Sequence, residues 1–201
     1  QLILASRSPR RVELLSRLGL PFDTCAPDVD ESCDLPASQA VGVLYLRKAR
    51  EAAFQSPGKT ILAADTLVSL NNRSLGKPRD AKEAAYMLRL LSGCTHQVYT
   101  GVTVIAPSGK TFTETDKTDV TFVPISEEEI LSYVRSGEPL DKAGAYALQG
   151  QAGQWVERLE GSDTSVVGLP LCLVRRLLTA SGFLTFKMPV EGACSDPGIC
   201  T

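Results

Sequence analysis

Residues 5–11 read Ala-Ser-Arg-Ser-Pro-Arg-Arg and crowd the Ser6 and Ser8 hydroxyls and three guanidiniums into one tight turn. Guanidinium forks match the oxygens of phosphate, and the start of a helix adds backbone N–H groups that point at an anion. The chemistry this suggests is phosphate binding. Residue type alone leaves a second reading open, in which Arg7, Arg10 and Arg11 are solvated surface charges and Ser8 is a plain helix cap.

Asp65 is the next group with chemistry in it. It closes the apolar run Thr60-Ile61-Leu62-Ala63-Ala64, and an acid at the carboxyl end of a buried strand stands where open α/β sheets place their ligands. Such a carboxylate can hold Mg²⁺, act on water, or simply cap a turn. Asp28, Asp30 and Glu31 form a second acidic cluster, which by itself reads as a solvated loop. Lys77-Pro78-Arg79-Asp80 and Asp141-Lys142-Ala143-Gly144 each set a lysine in a loop.

Other motifs fail on inspection. Gly58-Lys59-Thr60 resembles the end of a P-loop, but residue 53 is alanine and the segment precedes a strand instead of following one. The six cysteines include no CxxC pair and accompany a single histidine, which argues against a zinc site. Most of the cysteines are expected to be reduced, with Cys172 buried in a helix. His96 reads as a surface or strand-edge residue, and no GxSxG is present for a nucleophilic triad.

The elements that must hold these residues follow from local signals. Leu2 to Ala5 is a short buried strand, Ser8 and Pro9 open a helix through Leu18, and Gly19 stops it. Asp80 caps a helix from Ala81 to Leu91. Gln97–Ile105 and Thr111–Val123 are rich in valine, threonine and aromatic residues around a Pro107-Ser108-Gly109 turn, the pattern of a long hairpin. Ser126 with Glu129 makes a capping box, and Leu171 to Ala180 forms a last helix. The order predicts an α/β or α+β fold with a mixed, twisted sheet and flanking helices. A single domain is expected over residues 1–186, with residues 187–201 as a mobile tail.

Composition sets bounds on partners. At 43% hydrophobic and 22% charged residues the chain reads as an ordinary globular protein. The formal net charge of −2 argues against a general nucleic-acid or membrane-surface binder, so anion recognition must be local. No apolar run approaches the ~20 residues of a membrane span, and no secretory signal is seen, from which a cytoplasmic location is expected.

Taken in order, "LILASRSPRRVELLSRLG", "APDVDES", "RKA" around Lys48, "AADT", "LGKPRDAKEAAYMLRLLSG", "DVTF", "YVRSGEPLDKAGAYALQG" and "VVGLPL" resemble the Maf family of nucleotide pyrophosphatases, related in fold to the inosine triphosphate pyrophosphatases. The resemblance covers roughly residues 2–183. It implies an elongated, two-lobed fold with a central cleft, often dimeric. It also implies hydrolysis of a nucleoside triphosphate between its α and β phosphates with a divalent metal, Mg²⁺ first and Mn²⁺ as the alternative. By resemblance Asp65 is the proton acceptor for water and a metal ligand, and Glu31 helps hold the metal. Lys48, Lys77 and Lys142 face the phosphates, and Ser6, Ser8, Arg10 and Arg11 form the signature loop, with Arg7 at a variable place in it.

Arg10, Thr66 and Gln149 resemble the branch of the family that prefers dTTP and UTP; relatives that prefer 7-methyl-GTP tend to carry tryptophan, glutamine and glutamate there. A glutamine amide both donates and accepts, which suits the imide edge of uracil or thymine. Two departures stand out: Val43 begins the stretch where many relatives have arginine, and Gly76 stands where pyrimidine-preferring relatives often have glutamate. The expected function is a house-cleaning dTTP/UTP pyrophosphatase that also takes modified pyrimidine nucleotides. The alternatives are a nucleotide-binding regulator of septum formation or cell division, and a 7-methyl-GTP pyrophosphatase.

Overall fold

The computed structural model describes residues 1–29 and 37–185. Its centre is a seven-stranded mixed sheet built on three long strands, β3 (Thr60–Leu70), β5 (Thr95–Ile105) and β6 (Thr111–Phe122). These pair antiparallel, with Asp65 opposite Gly101 and Thr66 opposite Thr100. The expected hairpin is therefore present, and its first strand begins two residues earlier, at Thr95.

The other edge of β3 is split. β1 (Leu2–Ala5) runs parallel to it over Thr60, Ile61 and Leu62, and β2 (Phe22–Cys25) lies outside β1. β4 (Arg73–Leu75) pairs with it antiparallel only from Val68 to Leu70. Asn71 and Asn72 make that turn, both at positive φ as a two-residue hairpin loop requires. Among the described residues no strand pairs with this edge of β3 between Leu62 and Val68, and Asp65 stands in that gap. β7 (Val156–Glu160) pairs with β6 at the far edge of the sheet.

Strand alternation decides what covers each face. Ile3, Ala5, Ile61, Ala63 and Ile105 point to one face and pack with Ala49 and Ala52 of helix α2 (Ala37–Gln55). Leu2, Leu4, Leu62, Ala64, Val102 and Val104 point to the other, under α1 (Pro9–Ser16) and α6 (Leu171–Ala180). A second core lies at the opposite end of the long strands, beneath α3 (Ala81–Leu91) and α4 (Glu127–Arg135). α3 starts on the Asp80 cap and α4 on the full capping box of Ser126 and Glu129, as their local signals predict.

Several expectations are corrected. The strand carrying Asp65 does not end there, because Leu67, Val68 and Ser69 continue its pairing with β5. Ser8 occupies the N-cap of α1 but its side chain makes no cap bond; its own N–H donates to Ser6 Oγ at 3.1 Å. Cys172 is exposed on α6 because the apolar stripe of that helix runs through Leu173, Val174, Leu177 and Leu178. His96 is wholly buried. It packs edge-on against Phe122 and Tyr146, with Nε2 2.9 Å from Tyr146 Oη. Glu31 and the tail from residue 187 lie outside the described residues.

Candidate active site

A cleft of about 750 Å³ opens over the split edge of β3, between the strands that flank it at Leu62 and Val68. One wall is the turn Ser6–Arg11 at the start of α1, the floor is Asp65 and Thr66, and α2 contributes Leu44 and Lys48. The opposite wall is Gly76 and Lys77 after β4 together with a strap of tight turns, residues 138–150, that brings in Lys142, Tyr146 and Gln149. Every sequence-predicted site residue that the structure describes thus lines one space: Ser6, Ser8, Arg10, Arg11, Lys48, Asp65, Thr66, Lys77, Lys142 and Gln149.

Alternation along β3 sorts the chemistry. Asp65 shares the face of Ile61 and Ala63, so it meets Lys48 of α2: Nζ stands 2.9 Å from Oδ2, with both side chains about one-seventh exposed (13% and 15%). Thr66 shares the face of Leu62 and Ala64, so it meets Arg11 of α1, whose Nη2 donates to Thr66 Oγ1 at 3.2 Å. Arg11 Nη2 also lies 3.8 Å from Asp65 Oδ1, which accepts the Thr66 N–H at 2.9 Å. A carboxylate has about four acceptor positions, so Asp65 retains capacity for water or a cation beside Lys48 and Thr66.

Arg11 is fixed from behind as well. Its Nε donates to Gly168 O at 2.8 Å, just past the short helix α5 (Asp163–Val167). Gly168 sits at φ +124°, and a Cβ there would lie 3.4 Å from Arg11 Nε. The "VVGLPL" segment is therefore the seat of this guanidinium.

On the strap, Lys142 Nζ donates to Glu138 O at 3.2 Å and is ion-paired to Asp141. Burial pushes the Asp141 carboxyl upward, yet the bonded Lys142 ammonium and the charge of Arg10 hold it below the usual carboxylate value. Tyr133 ties the strap down. Its buried hydroxyl donates to Glu138 Oε1 at 3.0 Å and accepts the Ala147 N–H at 3.1 Å.

Six cationic side chains and three carboxylates line the cleft among the described residues. A chain of net charge −2 thereby presents a locally positive space. Arg7, set apart as variable by resemblance, is one of these six. Sequence reading missed Asp141, Tyr146 and the supports Tyr133, Thr100 and Gly101. Gly101 did carry a signal, since an isolated glycine inside a strand marks close approach of another group.

Fold and cleft together define a class: an α/β protein shaped to take a polyanion beside a carboxylate borne on a central strand. The chain belongs to the Maf-like protein family, which matches residues 1–181. It is 49% identical over 193 residues to a dTTP/UTP pyrophosphatase of Anaeromyxobacter dehalogenans, covering 94% of this chain and 98% of that one. A Bacillus pumilus protein of the same name is 46% identical over 189 residues, with 92% and 99% covered. Among solved structures, the Ham1 protein of Staphylococcus aureus superposes with a TM-score of 0.53 at 16% identity, covering 89% of this chain and 98% of that one. A HAM1 protein from Coxiella burnetii gives 0.51 at 15%, with 91% and 98% covered. These likenesses bear out the expected fold class.

Proposed function

We propose that this protein is a nucleoside triphosphate pyrophosphatase that hydrolyses dTTP and UTP, and related modified pyrimidine nucleotides, to the monophosphate and pyrophosphate. The observation that carries this reading is the meeting of Asp65 with Lys48 and Arg11 on the floor of a cleft whose walls add Arg10, Lys77 and Lys142. A triphosphate carries about four negative charges, and phosphoryl transfer is catalysed mainly by positioning and by cations placed where charge grows. Asp65 would accept the proton of the attacking water, while Lys48 and Arg11 hold the phosphates against it. The names of the relatives support the pyrimidine preference, and Arg10 and Gln149 supply side chains for it at the rim of the cleft.

A divalent cation, Mg²⁺ first and Mn²⁺ second, belongs to the same proposal. Asp65 fits it as a hard oxygen donor in the cleft, since Mg²⁺ takes one or two carboxylates and completes its shell from phosphates and water. Glu31, the second expected ligand, lies outside the described residues, and among those described no group of three or more His, Cys, Asp or Glu forms a protein cage. When bound, the cation would neutralise charge on the phosphate oxygens. The proposed setting is the cytoplasm, with the chain acting on free nucleotides alone or as a homodimer. Among the described residues no helix is long and apolar enough to cross a membrane.

Pyrophosphate release from a panel of triphosphates with Mg²⁺ tests the reading. dTTP and UTP should lead the panel; faster turnover of 7-methyl-GTP would overturn the substrate, and binding without turnover would overturn the enzyme. Arg10→Trp combined with Gln149→Glu should abolish the pyrimidine preference.

A further inference from the structure

We infer that Thr100, a residue that does not line the cleft, is a positioning residue that acts on the substrate phosphates through Thr66 and Arg11. The inference rests on the pyrophosphatase reading above and deepens it.

One hydrogen atom sets the direction of this network. Thr100 is completely buried, and its Oγ1 lies 2.8 Å from the backbone carbonyl of Ser165. A carbonyl can only accept, so the single hydroxyl hydrogen of Thr100 is committed to it. Thr66 Oγ1 lies 2.9 Å from Thr100 Oγ1 across the paired strands β3 and β5. With the Thr100 hydrogen spent, Thr66 must be the donor in that contact. The Thr66 hydroxyl hydrogen therefore points into the protein, away from the cleft.

What Thr66 offers Arg11 follows directly. Its oxygen accepts from Arg11 Nη2 at 3.2 Å while Gly168 O accepts from Nε at 2.8 Å. The guanidinium is thereby held at two of its nitrogens. The order of donation runs in one direction, from Arg11 to Thr66, from Thr66 to Thr100, and from Thr100 to the Ser165 carbonyl. Thr66 cannot donate to a nucleotide without breaking this chain, so its part at the site is to fix Arg11. A polar chain with every hydrogen assigned holds one arrangement, because any reversed hydroxyl would leave a buried acceptor unpaired. Orientation is what Arg11 needs, since misplacing a phosphate-holding group costs rate as well as affinity.

A double-mutant cycle tests this. Thr100→Val keeps the shape and removes the hydroxyl; Thr100→Ser keeps the hydroxyl. In the wild-type background Thr100→Val should lower kcat/KM for UTP by roughly 10-fold, and in an Arg11→Ala background by less than about 2-fold, because residues acting through one another are not additive. Thr100→Ser should stay within about 2-fold of the unmodified chain. Equal losses in the two backgrounds, or a serine variant as damaged as the valine one, would overturn the inference. Should Thr100→Val not fold, Thr66→Val removes the acceptor for Arg11 and must show the same dependence on background. Calorimetric titration with inorganic tripolyphosphate reads the cycle without turnover. Coupling in binding with no hydrolysis of any triphosphate would sink the pyrophosphatase reading alone, whereas hydrolysis with an additive cycle would sink this inference alone.

Discussion

The ring of Tyr45 lies where a side chain on residue 101 would have to be: a Cβ built on Gly101 would sit 1.8 Å from Tyr45 Cε1. Tyr45 is one turn before Lys48 on α2, and Gly101 is directly opposite Asp65 on β5. The bare backbone at Gly101 lets α2 approach the sheet, and that approach brings Lys48 Nζ to 2.9 Å from Asp65. Gly101→Ala should therefore overpack this contact, costing about 1–3 kcal/mol of stability. It should also lower pyrophosphatase kcat/KM, since α2 must shift outward. Thermal unfolding and steady-state kinetics of the same variant check the pair of effects.

Lys48 is expected to matter for both charge and placement. Lys48→Gln leaves Asp65 with Arg11, at 3.8 Å, as its ion-pair partner among the described residues, and should reduce kcat/KM by ~10²-fold, the scale of losing one group that stabilises transition-state charge. Lys48→Arg should recover little, because a planar fork does not replace a point charge in a confined cleft. Kinetics on UTP over a range of concentrations separates kcat from KM.

Tyr133 is predicted to govern the strap. Burial holds its phenol above the ordinary value, so the hydroxyl stays a donor to Glu138. Tyr133→Phe leaves that carboxylate and the Ala147 N–H without their partner, at a cost of about 1–3 kcal/mol. At this chain length each kcal/mol lowers Tm by roughly 2–4 °C. The strap carries Lys142 and Gln149, so KM for UTP should rise more than kcat falls.

His96 gives a pH signature. Burial lowers its pKa from 6.5 to about 4, so the folded protein keeps it neutral where the unfolded chain protonates it. Its contribution is full above pH 6.5, is lost as pH falls, and levels off near pH 4. About 3 kcal/mol is at stake over that window. Urea unfolding between pH 4 and 7 should show His96→Leu with a flatter stability profile than the unmodified chain.

Much of this was legible in the sequence where signals are local. Asp80 before an alanine-rich run, Ser126 with Glu129, and the valine- and threonine-rich hairpin marked α3, α4, β5 and β6 because caps and alternation act within a few residues. Helix α2 went unread because two of its buried positions, Ala49 and Ala52, are small and leave Leu44 and Tyr45 to carry a weak apolar signal. β2 and β7 are short, largely exposed edge strands with little pattern. His96 was misplaced because its partner Tyr146 lies fifty residues on. The site residues were readable as a set through family resemblance, whereas Thr100 and Gly101 matter only through register with β3.

The central claim is that water attacks between the α and β phosphates with Asp65 as its base, and product identification tests it most directly. UTP incubated with the protein and Mg²⁺ should give UMP and pyrophosphate in equal amounts, and Asp65→Asn should slow this by ~10²-fold or more. Formation of UDP and orthophosphate, or unchanged turnover by Asp65→Asn, would contradict it.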